Sequence, residues 1–541
     1  MKNPFIEKNV DTAKVFDRNV LLFSLLGTVI IHGEIIFNKI AWHDDMAVTY
    51  TAWGLPLEHG RWLNQLFVDF FENFAGAESL GVINGILTGL FIGIIACLLF
   101  YIFDVSNKLV RFALSLVFIT IPAIAGNFGY MSGSAANFFG ILLCVISLFF
   151  VDKAIKKKSF KKAIPDYILA VVLAGSAMGQ YQCFFTVSLS LLLIYLIKNS
   201  ISSEISFPEY LRRFFGYIFI LFLALIFYLV ILKLSLSITH RELSSYSGID
   251  SYGLGSPVDY YFRVKYAYHA FLITNFCLTA NMFPFHWDGW RNILYAVIII
   301  TLISYIVLIL IKKKFRKFIE AIICLALFPL ALNFNFVLFG KGLDVDYHAI
   351  HSLHMYQWIL LFVLPFLFLF SDEMQAFMSE KNAVRRHFMQ GLCSVMAVIT
   401  MIIGCLYARY DNFLYMESEI RQEKAISYFT VLRSRVESVE GYNPAMKVYF
   451  INSAEQENSV DETIVNYDYV VTNPYSAPIV NTDFWYMQEY MRIWTGWDPT
   501  FGDEAEYADD DRVKAMPAYP SDGSIQLLDG NVIVKFGKTD K

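Results

Sequence analysis

The stretch "LGVINGILTGLFIGIIACLLFYIF", from Leu80 to Phe103, has no charged side chain and is long enough to cross the hydrocarbon core of a bilayer as one helix. Of the 541 residues, 56% are hydrophobic and only 17% charged, a composition typical of an integral membrane protein. Apolar runs lie at about 20–40, 80–103, 110–124, 134–151, 165–180, 182–197, 214–236, 291–311, 318–339, 355–370 and 389–408. We therefore expect about eleven transmembrane helices, the first of them retained because no signal-peptide cleavage site is evident.

The Lys and Arg residues between these runs predict the orientation of the chain, because short cytoplasmic loops retain positive charge. "DKAIKKKSFKK", from Asp152 to Lys162, has six lysines, and "KKKFRK", from Lys312 to Lys317, has five basic residues. Both follow even-numbered runs, whereas the alternate loops are poor in lysine. The sequence thus predicts a cytoplasmic segment at 1–19, a transmembrane domain at 20–410 with outer loops at 41–79 and 237–290, and an extracytoplasmic domain at 411–541.

The residues after 410 differ in charge from the rest of the chain. They contain 11 basic and 23 acidic residues, a net charge of -12, whereas the first 410 residues contain 32 basic and 25 acidic residues, a net charge of +7. An acidic domain argues against nucleic-acid binding, which favours a basic surface. A helical pattern at 417–439 and strand-like segments at 447–452, 467–472 and 524–536 predict a small α+β domain. The last of these segments reads as a hairpin with Asp529 and Gly530 at its turn. The expected fold class is an all-α polytopic membrane protein with a small C-terminal α+β extracytoplasmic domain.

Acids and histidines cluster in the first outer loop, in "AWHDDMAVTYTAWGLPLEHGRWL" (residues 41–63). Asp44 and Asp45 are adjacent, so their side chains diverge, and one can act as a general base while the other orients a ligand. Capping of a helix is the alternative role of this pair, because aspartate is common at helix starts. His43 and His59 are candidate substrate contacts.

Arg61 begins a segment in which Trp, Leu and Phe side chains recur at helical spacing. This pattern predicts a helix that lies in the membrane interface. A guanidinium at that depth can bind a phosphate through two parallel hydrogen bonds. An ordinary interfacial anchor is the alternative role for this arginine.

Further basic and aromatic residues lie in the later outer loops, where they can neutralise a phosphate or stack on a sugar ring. The aromatic belt of any polytopic membrane protein is the alternative explanation for the aromatic ones. The candidates are Arg263, Lys265, Lys341 and His354 for a phosphate, and Trp287 for a sugar. His351 and His354 lie three apart, but no third ligand has the spacing of a metal site, so we expect neither a metal nor a cofactor.

The acidic pair, the Gly-Arg-Trp that follows it, about eleven spans and an outer C-terminal domain together resemble the GT-C superfamily of membrane glycosyltransferases. More specifically, they resemble the bacterial glucosyltransferase II family, which modifies O-antigen and other surface polysaccharides. "MGQYQ", at 178–182, is similar to the Tyr-Gln element of that family. The resemblance implies that Tyr181 and Gln182 contact substrate.

The resemblance also implies a reaction. The donor would be a polyprenyl-phosphate sugar, typically glucose, and the acceptor a lipid-linked or surface glycan hydroxyl, both at the outer face of the bacterial cytoplasmic membrane. One of Asp44 and Asp45 would take the acceptor proton during an inverting transfer, and Arg61 would lie near the donor phosphate.

Three other classes of protein fit part of this pattern. A flippase or transporter of lipid-linked saccharides predicts broken helices, internal repeats and ionisable residues at mid-span, whereas the apolar runs here are almost free of ionisable residues. A glycan polymerase also uses lipid-linked sugars outside the membrane, but it has no evident need for adjacent aspartates. A scaffold or receptor built around the acidic domain is the third alternative.

Overall fold

The computed structural model of the protein describes residues 15–40, 45, 56–75, 79–157, 159–202, 206–245, 255–276, 315–338, 383–452 and 484–537. The described part is mostly helical, as the sequence predicts. The apolar runs at 291–311 and 355–370 and the strand-like segment at 467–472 lie outside the described residues.

The helices of the apolar part agree with the predicted runs in position. Five stretches of the described residues are long and apolar enough to cross a membrane, namely 81–102, 108–129, 131–155, 160–180 and 207–239, and shorter apolar helices lie at 18–31 and 184–198. Helices suited to span a membrane are thus present among the described residues, while the count of about eleven remains a prediction. In chain order the helices are α1 Arg18–Ile31, α2 Gly33–Phe37, α3 Trp62–Ala75, α4 Gly81–Ile102, α5 Lys108–Thr120, α6 Pro122–Gly129, α7 Met131–Ile155, α8 Phe160–Gln180, α9 Phe184–Ser202, α10 Phe207–Thr239, α11 Pro257–Phe276, α12 Phe315–Leu332, α13 Phe334–Leu338 and α14 Ala383–Glu437.

Three of the predicted runs are broken, one of them the run at 318–339, in which α12 ends at Leu332 and α13 begins at Phe334. The first run ends as α1 at Ile31 and restarts as α2, with buried His32 between them. The third run is interrupted before Pro122, which takes the first position of α6. Proline is favoured there because it lacks the N–H that would bond within a preceding turn.

The centre of the helical bundle is α7, which packs against α4 and α8, while α1 packs against α4. Small residues allow this close approach: a Cβ atom on Gly89 would lie 3.0 Å from Thr28 Cβ, and one on Gly93 would lie 3.3 Å from Ser24 Cβ. Close contact through small residues is a common way in which membrane helices associate.

The two ends of the bundle carry different side chains. At one end Arg111 pairs with Asp17 at 2.8 Å, and Lys153 and Lys157 both pair with buried Asp166. The lysine-rich connection between α7 and α8 lies at this end. The start of α7 and the tight connection between α8 and α9 lie at the opposite end, because α7 and α8 are antiparallel neighbours.

The last apolar run does not end near residue 410 as predicted. It continues as α14 to Glu437, so one helix joins the last apolar run to the helix predicted at 417–439. No proline interrupts the sequence from Ala383 to Glu437, and good helix formers such as Glu, Arg, Lys and Ala fill its second half.

A three-stranded sheet packs against the second half of α14. Its strands are β1 (Val448–Ile451), β2 (Ile525–Leu528) and β3 (Asn531–Lys535), in the order β1-β3-β2, with β1 and β3 parallel and β2 and β3 antiparallel. Asp529 and Gly530 both have positive φ between β2 and β3, which confirms the predicted hairpin. The elements after α14 are β1 Val448–Ile451, α15 Phe484–Tyr490, a π turn at Met491–Thr495, α16 Asp511–Ala515, β2 Ile525–Leu528 and β3 Asn531–Lys535.

We call residues 425–452 and 484–537 the C-terminal module. It has a hydrophobic core of its own, to which α14 contributes Phe429, Leu432 and Val436 and the sheet contributes Val448 and Val532. The predicted α+β character of this part of the chain is therefore seen in the residues described.

Candidate functional site

The start of α3 meets the α8–α9 connection at the end of the bundle opposite the lysine-rich connection. The Trp62 ring lies on Gly179, where an added Cβ atom would come within 2.3 Å of Trp62 Cε2. Gln180 Nε2 donates to Asn64 Oδ1 at 2.7 Å. The two sequence motifs that carried the family resemblance are thus packed directly against each other.

Gln182 fixes the turn that precedes Arg61. Its Nε2 donates to the main-chain oxygen of His59 at 2.8 Å and lies 3.1 Å from the Tyr228 hydroxyl. The Tyr228 hydroxyl in turn donates to the Gly60 carbonyl at 3.0 Å. Gly60 has a φ of 75°, a conformation that glycine adopts without strain.

Arg61 lies over the aromatic ring of Tyr181, with its guanidinium carbon 4.0 Å from the ring centroid. Its Nε is buried and has no hydrogen-bond partner among the described residues. A guanidinium with a donor unused in a partly dry site is suited to bind an anion, because both the charge and the N–H are available.

His59 stands next to this cation. Burial, together with the Arg61 charge, lowers the pKa of His59 to about 4. The imidazole is therefore neutral at pH 7 and carries one donor and one acceptor nitrogen.

Asp45 has a different position from that of Arg61. Its carboxylate is fully buried at the start of α7, where the Met131 amide donates to Oδ2 at 2.6 Å and the Ser132 amide to Oδ1 at 3.2 Å. Asp45 thus has the capping geometry that was the alternative for the acidic pair, on a helix that begins 86 residues later. A carboxylate is stabilised there by free N–H groups and by the helix dipole.

Burial raises the pKa of Asp45, whereas the Lys39 charge and the hydrogen bonds from Ser132 and Met131 act in the opposite direction. Lys39 itself is held in place, since its ammonium donates to Ser79 Oγ at 2.6 Å. The segment that leads to Asp45 is therefore attached to the bundle at Lys39 and again at the aspartate.

Two of the other predicted phosphate ligands lie on α11, in a region that we expected to be a loop. This helix forms because Ser256 and Asp259 make a capping box, with the Ser256 amide donating to Asp259 Oδ2 at 2.7 Å. Arg263 is buried and donates to the Val337 carbonyl at 3.4 Å, while Lys265 is exposed. Residues two apart on a helix point in different directions, so these two cations do not act as a pair.

Five of the predicted site residues lie outside the described residues. They are His43, Asp44, Trp287, Lys341 and His354. Among the described residues, no group of three His, Cys, Asp or Glu side chains could hold a metal ion.

Sequence reasoning missed several side chains that shape this region. Trp62 and Gln180 lie inside the quoted motifs, and Trp62 Nε1 and Gln180 Oε1 are buried without a hydrogen-bond partner in the described structure. Tyr228 lies in the middle of an apolar helix, where its position gives no sequence signal. Lys39 lies at the end of the first predicted run and Ser79 at the end of the first outer loop, and only the fold brings them together.

No curated protein and no solved structure matches the chain significantly. A sequence model of the family described as "Glucosyl transferase GtrII" matches residues 33–366, which include every predicted site residue and leave the C-terminal module outside the match. With more than half of its length matched, the chain belongs to the GtrII glucosyltransferase family, whose members are membrane glycosyltransferases.

Proposed function

We propose that this membrane glycosyltransferase moves a sugar, glucose in the first instance, from a polyprenyl-phosphate donor to a glycan acceptor on the extracytoplasmic face of the bacterial cytoplasmic membrane. The observation that carries the proposal is the Arg61 guanidinium, which lies over Tyr181 with a buried Nε left without a partner in the described structure. A departing lipid phosphate is an anion, and a fixed cation in a partly dry site stabilises that charge.

The proposed chemistry is a single displacement at the anomeric carbon. An aspartate carboxylate takes the proton of the acceptor hydroxyl while that oxygen forms the new glycosidic bond. The bond between the anomeric carbon and the phosphate oxygen breaks, and the polyprenyl phosphate leaves with the bonding electrons next to Arg61. Attack from the side opposite the leaving group inverts the anomeric configuration.

We assign the base to Asp44 and an orienting role to Asp45. Support for this division comes from Asp45, whose two carboxylate oxygens already accept the Met131 and Ser132 amides. With both oxygens occupied by main-chain amides and the side chain fully buried, Asp45 is poorly placed to take the proton of an acceptor hydroxyl.

His59, Tyr181 and Gln182 are proposed to contact the donor. Their support is proximity: Gln182 holds the His59 main chain and Tyr181 holds the guanidinium. The roles of His43 and Trp287 at the sugar, and of Arg263, Lys265, Lys341 and His354 at the phosphate, stay predictions.

The proposed orientation puts the N-terminus inside and the Arg61 end of the bundle outside. It is supported by the cluster of Lys153, Lys157 and Arg111 at the other end, since cytoplasmic loops retain positive charge. The C-terminal module would then lie outside, on the same side as the first outer loop. The hydrophobic tail of the donor would lie between helices.

Transfer in detergent tests this function. The purified protein is mixed with polyprenyl-phosphate glucose or with a nucleotide glucose, and a glycan acceptor is supplied in each case. We expect glucosylated product from the lipid donor only. Product from the nucleotide donor alone, or movement of lipid-linked sugar across vesicles without any transfer in detergent, would instead identify a cytoplasmic-type transferase or a flippase.

A further inference from the structure

One face of α14 lies along the segment that leads to the acidic pair. Asn412, Tyr415, Glu419 and Gln422 follow one another at spacings of three and four residues, so their side chains project from the same side of the helix. Each of them contacts a residue between positions 31 and 39.

The first two contacts surround the break between α1 and α2. Asn412 Nδ2 donates to the Ile31 carbonyl at 3.0 Å. The Tyr415 hydroxyl lies 2.6 Å from His32 Nδ1, and the other ring nitrogen of His32 lies 2.7 Å from the Ile119 carbonyl. Tyr415 and His32 are both fully buried, so these bonds form in the absence of competing water.

The next two contacts lie closer to the aspartates. The side chains of Glu34 and Glu419 interact with each other. Gln422 Nε2 donates to the Lys39 carbonyl at 2.7 Å. Lys39 is the residue whose ammonium contacts Ser79 and whose charge acts on Asp45.

The same face of α14 continues into the C-terminal module. Ala425, Phe429 and Leu432 continue the spacing and are buried in the core of the module. The hydroxyl of Tyr490, which is also buried there, donates to the main-chain oxygen of Gln422 at 3.3 Å. A single helix therefore joins the module core to the segment that carries Lys39.

We propose that the C-terminal module, acting through α14, positions the first outer loop, with Gln422 on α14 as the positioning residue that holds Lys39 just before that loop. The module thus serves the reaction without contacting substrate. The proposal rests on the proposed function for its catalytic consequence, but the attachment itself can be measured without any assay of transfer.

The positioning variants are Gln422→Met, which removes the donor while it keeps the length of the side chain, and Gln422→Lys, which restores a donor to the Lys39 carbonyl. Thr430→Ala is the matched control, because the Thr430 hydroxyl lies on the same helix but donates only within it, to the Ile426 carbonyl at 2.7 Å. All three are compared with the wild type in the full chain, reconstituted in lipid.

Hydrogen exchange is the first measurement. We expect the peptides that cover residues 31–40 to exchange about two- to tenfold faster in Gln422→Met, the equivalent of one net hydrogen bond. Gln422→Lys and Thr430→Ala should exchange as the wild type does. Equal exchange in Gln422→Met and the wild type would overturn the proposal.

Steady-state transfer is the second measurement. Gln422→Met should lower kcat by about two- to tenfold with little change in KM for the donor, and Gln422→Lys should recover it. If Gln422 has only a structural role, both Gln422 variants should yield less folded protein, and kcat per folded molecule should stay unchanged. That result would contradict a positioning role. If Gln422→Met exchanges faster at residues 31–40 but the wild type transfers no sugar, the proposed function is wrong. The contact between Gln422 and Lys39 is then still supported.

Discussion

The guanidinium of Arg61 lies 4.0 Å from the centroid of the Tyr181 ring, although the two residues are far apart in the sequence. The contact depends on the turn at Gly60, which is held by Gln182 and Tyr228, and on Trp62, which occupies the space left by Gly179. The cation is thus fixed by its neighbours before any ligand binds, and preorganisation of this kind lowers the cost of charge stabilisation.

Two substitutions of Arg61 separate the effect of its charge from the effect of its planar hydrogen-bond donors. Arg61→Lys keeps the charge but loses the planar donors, and Arg61→Met loses both. We expect transfer to fall by about 10- to 100-fold in Arg61→Met and by less in Arg61→Lys, as is usual for hydrogen bonds to a charged group. The rate is measured with polyprenyl-phosphate glucose at equal amounts of folded protein. Unchanged transfer in Arg61→Met would show that the arginine is only an interfacial anchor.

Gly179 is expected to tolerate no side chain while Trp62 is present. An added Cβ atom would come within 2.3 Å of the indole, so Gly179→Ala should destabilise the protein by about 1–3 kcal/mol through overpacking. Trp62→Leu shortens the opposing side chain and should restore part of the loss in the double variant. Thermal unfolding in detergent measures both effects, and a double variant no more stable than Gly179→Ala would contradict the packing.

The lowered pKa of His59 predicts a pH dependence of stability. The unfolded chain binds a proton at this residue below about pH 6.5, whereas the folded chain binds it only near pH 4. The free energy of unfolding should therefore fall as the pH decreases from 6.5 towards 4. His59→Asn removes this contribution, so its melting temperature should fall less than that of the wild type between pH 7 and pH 5. If the melting temperatures of the wild type and of His59→Asn fall equally with pH, the result would contradict the burial of the imidazole.

Local patterns in the sequence predicted the features that depend on local structure. The β2–β3 hairpin follows from alternating residues around Asp529 and Gly530, and the close connection between α8 and α9 follows from the apolar runs at 165–180 and 182–197, which are separated by a single residue. The same motifs identified Arg61, Tyr181 and Gln182 as candidates, and the fold places Arg61 over the Tyr181 ring and Gln182 against the turn before Arg61.

Features that depend on distant parts of the chain were not predictable. The partner of Asp45 is the start of α7, and neither Met131 nor the residue before it is a typical capping residue. Sequence reasoning thus foresaw capping as a role but not the helix that is capped. The continuous α14 does not follow from hydropathy, because the composition changes from apolar to charged near residue 410 while helix propensity does not change there.

Paired substitutions test most directly whether Asp44 is the general base and Asp45 the orienting residue. Asp44→Asn and Asp45→Asn are each assayed for transfer from polyprenyl-phosphate glucose, with the melting temperature measured on the same samples. We predict that Asp44→Asn loses at least about 100-fold in kcat at an unchanged melting temperature, because a general base is removed. Asp45→Asn should lower the melting temperature, since an amide is a weaker cap than a carboxylate at a helix N-terminus. Full transfer by both variants would contradict the catalytic role of this loop.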